Sequence, residues 1–180
     1  TTRDISSLLH RYGALSFWDF AAAAPYVRID MNATGDDPED YKDAVFISPH
    51  KFIGGPDTPG VLVVKRALLH NRVPSVVGGG TVAYVGPHEH RYLSDPTQRE
   101  EAGTPSILGA IRAGIVFQLK EAVGVELIRE REESFIRRAI TRWTGSSGVR
   151  VLGNHQAWRL SIVSFMVRHG TRYLHHNFVV

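Results

Sequence analysis

The stretch Asp43-Ala-Val-Phe-Ile-Ser-Pro-His-Lys-Phe-Ile-Gly-Gly-Pro-Asp-Thr-Pro-Gly60, followed at once by Val61-Leu-Val-Val64, decides how the rest of the chain is read. Ala44 to Ile47 and Val61 to Val64 are short apolar runs bounded by Pro and Gly, the pattern of buried strands joined by a glycine-rich turn. Lys51 stands at the mouth of that turn. Ser48 and His50 beside it can donate hydrogen bonds to an anion, and Gly54 and Gly55 let the backbone come close to a ligand. The combination suits a phosphorylated ligand held next to an amine. Lys51 is also readable as an ordinary surface lysine in a loop.

A partly desolvated lysine amine loses its charge readily, and the neutral amine attacks an aldehyde to give a Schiff base. Pyridoxal 5′-phosphate needs such a lysine, an anion site and an acidic partner for its pyridine nitrogen. Upstream, Phe17-Trp-Asp-Phe-Ala-Ala-Ala-Ala-Pro-Tyr-Val-Arg-Ile-Asp30 reads as a strand ending in Asp19, then a turn of small residues. Asp19 is a candidate for that acid. An acid ahead of a run of alanines is also a helix N-cap signal, so the capping role stays open.

Taken in order, Asp19, Ser48 to Lys51, Gly54-Gly55-Pro56 with Gly60, Gly78-Gly79-Gly80-Thr81 and Glu101-Ala-Gly-Thr-Pro105 resemble the class V aminotransferase family of fold type I pyridoxal-phosphate enzymes, which includes cysteine desulfurases and selenocysteine lyases. The resemblance implies an α/β fold: residues 1–145 as part of the cofactor-binding large domain, mainly a parallel sheet with helices, and residues 146–180 as the start of a small α+β C-terminal domain. It further implies that Lys51 forms the internal aldimine and acts as general base, that Asp19 contacts the pyridine nitrogen, and that Ser48 and His50 hold the phosphate. In relatives the threonine matching Thr104 reaches the phosphate of a partner subunit, which implies a homodimer. An amino-acid substrate and a cytoplasmic location are expected, with cysteine desulfurase or selenocysteine lyase the nearest activity. One departure is Ala22, where many relatives carry a Gln or His that bonds the cofactor's phenolic oxygen.

Family members are considerably longer and carry another half-domain before the aspartate strand, so this chain is expected to be a middle segment. Alone, it is expected to lack turnover and to expose an apolar face or edge. A catalytic cysteine and a substrate-binding arginine would lie beyond Val180. Two other functions remain: a fold fragment or dimerisation module that binds no cofactor, and a phosphate or nucleotide binder using Gly54-Gly55 and Gly78 to Gly80.

Composition narrows the field. The chain has 180 residues and a formal charge of +3, but its charges alternate, as in Arg129-Glu-Arg-Glu-Glu133, which is a solvated helix face rather than a nucleic-acid surface. There is no cysteine, hence no disulfide framework and no thiolate ligand. No apolar run reaches the roughly 18 residues of a membrane span. The acids of the loop 31–41 lack the spacing of a calcium site, and His88-Glu-His90 lacks a third metal ligand. A nucleotide-binding Gly-x-x-x-x-Gly-Lys-Ser/Thr is absent.

Several elements follow from periodicity. Residues 1–12 read as a helix with Ile5, Leu8 and Leu9 on its packing face and Gly13 as its stop. Residues 65–71 read as a short helix, 82–85 as a strand and 86–96 as a loop. Pro105 to Val123 reads as a helix capped by Thr104, with Leu108, Ile111, Ile115, Leu119 and Ala122 on the core side. Val125 to Trp143 resumes as a helix with Ile128, Phe135, Ile136, Ala139, Ile140 and Trp143 on one side. Thr144-Gly-Ser-Ser-Gly148 reads as a boundary, 149–152 and 158–167 as strands, and 171–180 as the start of a helix. The strands around Asp19, Ser48 and Val61 are expected in one sheet, buried on both faces.

Overall fold

The computed structural model describes residues 1–32 and 35–179, so parts of the expected 31–41 loop and of the expected C-terminal helix lie outside the described residues. The chain divides into two compact units, Thr1–Lys120 and Glu121–Val180.

The first unit opens with helix α1 (Thr2–Arg11), whose N-cap Thr1 forms a capping box with Asp4. Gly13 closes it with φ +70°. The Gly13 N–H donates to the His10 carbonyl and the Ala14 N–H to the Leu9 carbonyl, both at 2.9 Å, a Schellman ending. The helix docks by polar groups, contrary to its apolar pattern: Ser6 and Ser7 are buried, while Ile5 and Leu8 face outward. The Ser6 and Ser16 hydroxyls lie 2.6 Å apart, and the Trp18 indole N–H donates to both, at 3.1 Å and 2.7 Å respectively.

Strands β1 (Phe17–Asp19), β2 (Ala44–Ile47) and β3 (Val61–Val64) form one sheet in that order. β1 and β2 run parallel with Asp19 opposite Phe46, and β2 and β3 run antiparallel. One face carries the core: Val45 and Ile47 pack with Ala24, Phe52 and Val116, with Trp18, Val61 and Phe117 beside them. By register, Phe17, Phe46 and Leu62 share the other face, and they are exposed. Burial of the sheet is therefore one-sided, not two-sided.

Beyond β3, the expected helix at 65–71 is only a 3₁₀ turn, Arg66–Leu68. β4 (Val82–Val85) falls where its pattern put it, but the next segment is not all loop. It contributes β5 (His90–Tyr92), antiparallel to β4, and a short helix α2 (Pro96–Glu100) capped by Asp95. Helix α3 (Ile107–Val123) begins two residues later than the Thr104 cap and Pro105 start required. Its buried residues are Gly109, Ala113 and Val116. The stripe expected inward faces solvent, with Leu108 81%, Ile111 57% and Ile115 57% exposed. α3 is apolar on more than one side, so its apolar spacing alone could not say which side packs.

The second unit pairs helix α4 (Val125–Thr144) with an antiparallel sheet of β6 (Val149–Val151), β7 (Phe165–His169) and β8 (Arg172–Tyr173). Residues 145–148 link α4 to β6. Ile136 and Val151 are its buried apolar residues, and the Trp143 and Phe165 rings meet at 5.0 Å. Phe135, expected on the packed side of α4, is exposed. Residues 158–164 are not strand, and beyond β8 stands a 3₁₀ turn, His176–Phe178, in place of the expected helix. Among the described residues no helix is long and apolar enough to cross a membrane, and no group of three or more His, Cys, Asp or Glu is placed to hold a metal ion.

Candidate active site

Asp19 is the last residue of β1, and Ser48 directly follows β2, its parallel neighbour. Both therefore stand at the carboxyl ends of adjacent parallel strands, where open α/β sheets bind their ligands. Past Ser48 the chain tightens into the 3₁₀ turn Pro49–Lys51, held by the Lys51 N–H on the Ser48 carbonyl at 3.0 Å and the Phe52 N–H on the Pro49 carbonyl at 2.9 Å. Pro49 and Phe52 are buried, whereas His50 and Lys51 are exposed. Phe52 is locked edge-on against Phe117 at 5.0 Å. Two buried side chains thus bracket the turn and send the Lys51 amine outward. Among the described residues neither Lys51 nor His50 has a side-chain hydrogen bond or ion pair.

The glycine-rich loop beyond is fixed by steric need. A Cβ on Gly55 would lie 1.9 Å from the Pro49 carbonyl oxygen, so only glycine lets the loop fold back under the lysine turn. The Thr58 hydroxyl donates to the Gly55 carbonyl at 2.7 Å, and the Arg112 guanidinium on α3 donates to the Pro56 carbonyl at 2.8 Å. At Gly109 of α3 an added Cβ would meet the Asp57 carbonyl oxygen at 3.1 Å, so that helix turn also approaches the loop closely.

The Asp19 carboxylate accepts the Ala21 N–H at 2.7 Å through one oxygen. The residues that follow form turns rather than a helix, so the N-cap reading fails in its strict form, although the acid does bond the turn. One carboxylate oxygen faces the turn and the other keeps its capacity for a ligand.

Thr104 is exposed and belongs to a different cluster. The Gly103 N–H donates to the Gly79 carbonyl at 2.8 Å, joining the Glu101–Pro105 piece to the glycine triplet. Thr81 is fully buried and spends its hydroxyl on the Gly78 carbonyl at 2.6 Å. Arg99, also buried, donates to the carbonyls of Leu93 at 2.9 Å and Ser94 at 3.4 Å. These bonds make the Gly78–Thr81 and Glu101–Thr104 pieces one local structure.

Beneath the sheet's start lies a polar node. His10 Nδ1 is 2.6 Å from the Glu39 carbonyl and Nε2 is 2.8 Å from the Asp43 carboxylate. A carbonyl and a carboxylate can only accept, so both ring nitrogens carry protons. Burial of the ring pulls the His10 pKa down, but the bonds to Asp43 and Glu39 outweigh it and the net shift is upward. Asp43 also accepts the Ser16 N–H at 2.8 Å, so one carboxylate ties α1 to the entries of β1 and β2.

The family model for Aminotransferase class-V matches residues 1–179. The chain belongs to the class V aminotransferase family. A "Probable cysteine desulfurase" of Halalkalibacterium halodurans is 31% identical over 165 residues, 92% of this chain and 38% of that protein. One of Halobacterium salinarum is 32% identical over 164 residues, again 38% of its length. Among solved structures, the apo cysteine desulfurase of Thermococcus onnurineus NA1 superposes with a TM-score of 0.76 at 24% identity, covering 99% of this chain and 42% of that one. A cysteine desulfurase of Escherichia coli gives 0.65 at 24% identity over 91% of this chain. The chain thus has the fold of part of a fold type I pyridoxal-phosphate enzyme and spans about 38% of the length of these curated relatives.

The family's cofactor is pyridoxal 5′-phosphate, and the residues present fit it: an outward lysine amine with no partner among the described residues, a carboxylate at the end of the adjacent strand, and a hydroxyl and an imidazole beside the amine in sequence. Sequence reasoning missed Arg112, Gly109 and Lys120, which brace this site from α3. The signal available was the helical spacing Gly109, Ala113, Val116, Lys120, a narrow stripe that ends in a lysine and is hidden behind the stronger Leu/Ile one.

Proposed function

We propose that the chain is part of a cytoplasmic, homodimeric pyridoxal-phosphate enzyme of the cysteine desulfurase or selenocysteine lyase kind, acting on an amino acid. The observation that carries this reading is the placement of Asp19 and Ser48 at the same end of two parallel strands, with Lys51 presented by the turn just beyond. Residues 1–145 are read as belonging to the cofactor-binding domain and residues 146–180 to the start of the smaller one. When bound, the cofactor supplies an aldehyde that captures amines and a ring that accepts electrons from the substrate's α-carbon. Lys51 would hold the cofactor through its amine, and that amine, when free, would be the base for the substrate's α-proton. Asp19 keeps a proton on the pyridine nitrogen, and Ser48 and His50 donate to the phosphate. Thr104 serves the phosphate site of the second subunit.

The chain by itself is read as lacking turnover, since it corresponds to about 38% of its relatives' length. A second reading, a fragment that binds no cofactor, draws on Ala22, which offers no hydrogen bond to the cofactor's phenolic oxygen. The test uses the full polypeptide carrying this segment: addition of pyridoxal 5′-phosphate, the visible spectrum, borohydride reduction and peptide mapping, then release of alanine from cysteine, with the sulfur released as sulfide by an added dithiol reductant. The label should fall on Lys51, and Lys51→Ala should remove both label and turnover. Asp19→Ala should keep the label and lose turnover. Full turnover in the lysine variant would sink the assignment, and absence of a visible band in the wild type would favour the fragment reading.

A further inference from the structure

Lys120 continues the buried stripe Gly109, Ala113, Val116 of α3 by one more turn, yet its end group does not leave for solvent. Its ammonium donates to the carbonyl oxygens of Ala24 at 2.6 Å and Val27 at 2.7 Å, across 96 and 93 residues of sequence. The Phe52 ring lies 5.6 Å away along the same path. Both carbonyls belong to the turn that leaves Asp19.

Ala24 and Pro25 are buried, Ala24 within the core, but the turn has few polar anchors. Ala21 to Ala24 offer no polar side chain, and Pro25 has no N–H to donate. Its own bonds are the Phe20 N–H to the Phe46 carbonyl at 2.9 Å, the Ala24 N–H to the Phe20 carbonyl at 2.8 Å and the Tyr26 N–H to the Ala23 carbonyl at 2.9 Å. The bond from the Ala21 N–H to Asp19 at 2.7 Å makes the turn's position the position of the carboxylate. A half-buried ammonium is costly unless bonded, and bonds from a charged donor are the strong kind, so the turn is held at two points. α3 does not need this charge to dock, because Ala113, Val116 and Phe117 already supply apolar contact.

We propose that Lys120 is a positioning residue for Asp19: by clamping the Ala24 and Val27 carbonyls it fixes the turn whose Ala21 N–H aims the carboxylate. The consequence for catalysis rests on the pyridoxal-phosphate reading above, whereas the clamp does not. The specificity of the device lies in the ammonium, so the methylene stem alone should not substitute for it.

The experiment compares Lys120→Met, which keeps the stem, and Lys120→Arg, which keeps the donor, in the full polypeptide. In the cofactor-free protein, hydrogen exchange at Ala21 and Ala24 should quicken about tenfold in Lys120→Met while the β2 amides stay unchanged, and Lys120→Arg should stay near the wild type. With cofactor, Lys120→Met should bind pyridoxal 5′-phosphate about tenfold more weakly, the order of loss when a partner that orients a ligand-holding group is removed. It should also lower kcat with KM for the amino acid unchanged. Unchanged exchange in the turn would overturn the clamp, and a uniform rise across the sheet would reduce Lys120 to a packing residue. Should Lys120→Met fail to fold, Lys120→Gln with the same exchange measurement decides. If the wild type takes up no cofactor at Lys51, the functional reading fails alone, and the exchange comparison still upholds or refutes the clamp.

Discussion

Helices α1 and α3 belong to the same unit and dock in opposite ways. α3 puts Gly109, Ala113 and Val116 inward, and its contact is mostly apolar. α1 puts Ser6, Ser7 and His10 inward, and its contact is a network of hydrogen bonds ending on Asp43. Both nevertheless turn large aliphatic residues, Ile5 and Leu8 in one case and Leu108, Ile111 and Ile115 in the other, toward solvent. Hydrophobic burial is non-directional, so an amphipathic stripe identifies a surface that favours burial without naming its partner. The polar network is directional and names its partners residue by residue.

The sharpest way to break that contrast is Asp43→Ala. His10 and Asp43 are only 5% and 6% exposed, and the change leaves a buried imidazolium and the Ser16 N–H without their acceptor. A loss of about 3 kcal/mol in urea-induced unfolding is expected. A loss below about 1 kcal/mol would mean that α1 is held by something other than this node. Val116→Ala probes the apolar dock. Truncation there should cost about 2 kcal/mol, by transfer plus cavity, with no change in the denaturant slope.

The pH dependence of the two docks should also differ. A histidine whose folded pKa is raised contributes stability that is fully present below its unfolded value of about 6.5 and is lost as pH rises through the folded value. Unfolding free energy should therefore fall with rising pH across the window opening near 6.5, no more steeply than one proton allows, about 1.4 kcal/mol per pH unit. His10→Gln should flatten that region, while Val116→Ala should leave its shape intact. An equal slope in the His10 variant would place the titration elsewhere.

The smallest effect belongs to the outward stripe. Ile111→Glu, at a solvent-facing helix position, should change the stability of the isolated unit by less than about 0.5 kcal/mol. It should reduce self-association of the 180-residue chain in sedimentation, since an exposed apolar stripe favours association. A large destabilisation instead would show that the stripe is buried within the chain's own fold.

Much of the site was legible before any coordinates. The run from Asp43 to Val64, together with Asp19, determined two strands, a lysine turn and a glycine-rich loop, because short apolar runs, the steric demands of Gly55 and the fixed φ of proline act over a few residues. The capping box at Thr1 and the Schellman ending at Gly13 were equally local. Tertiary structure alone decided which side of α1 and α3 packs, that the sheet is covered on one face, and that Glu101–Thr104 joins Gly78–Thr81. It also decided that Lys120 reaches the turn after Asp19 and that His10 finds Asp43. These contacts join residues far apart in sequence, and each depends on where a whole element lands, a choice set by the sum of many weak packing terms rather than by any local pattern.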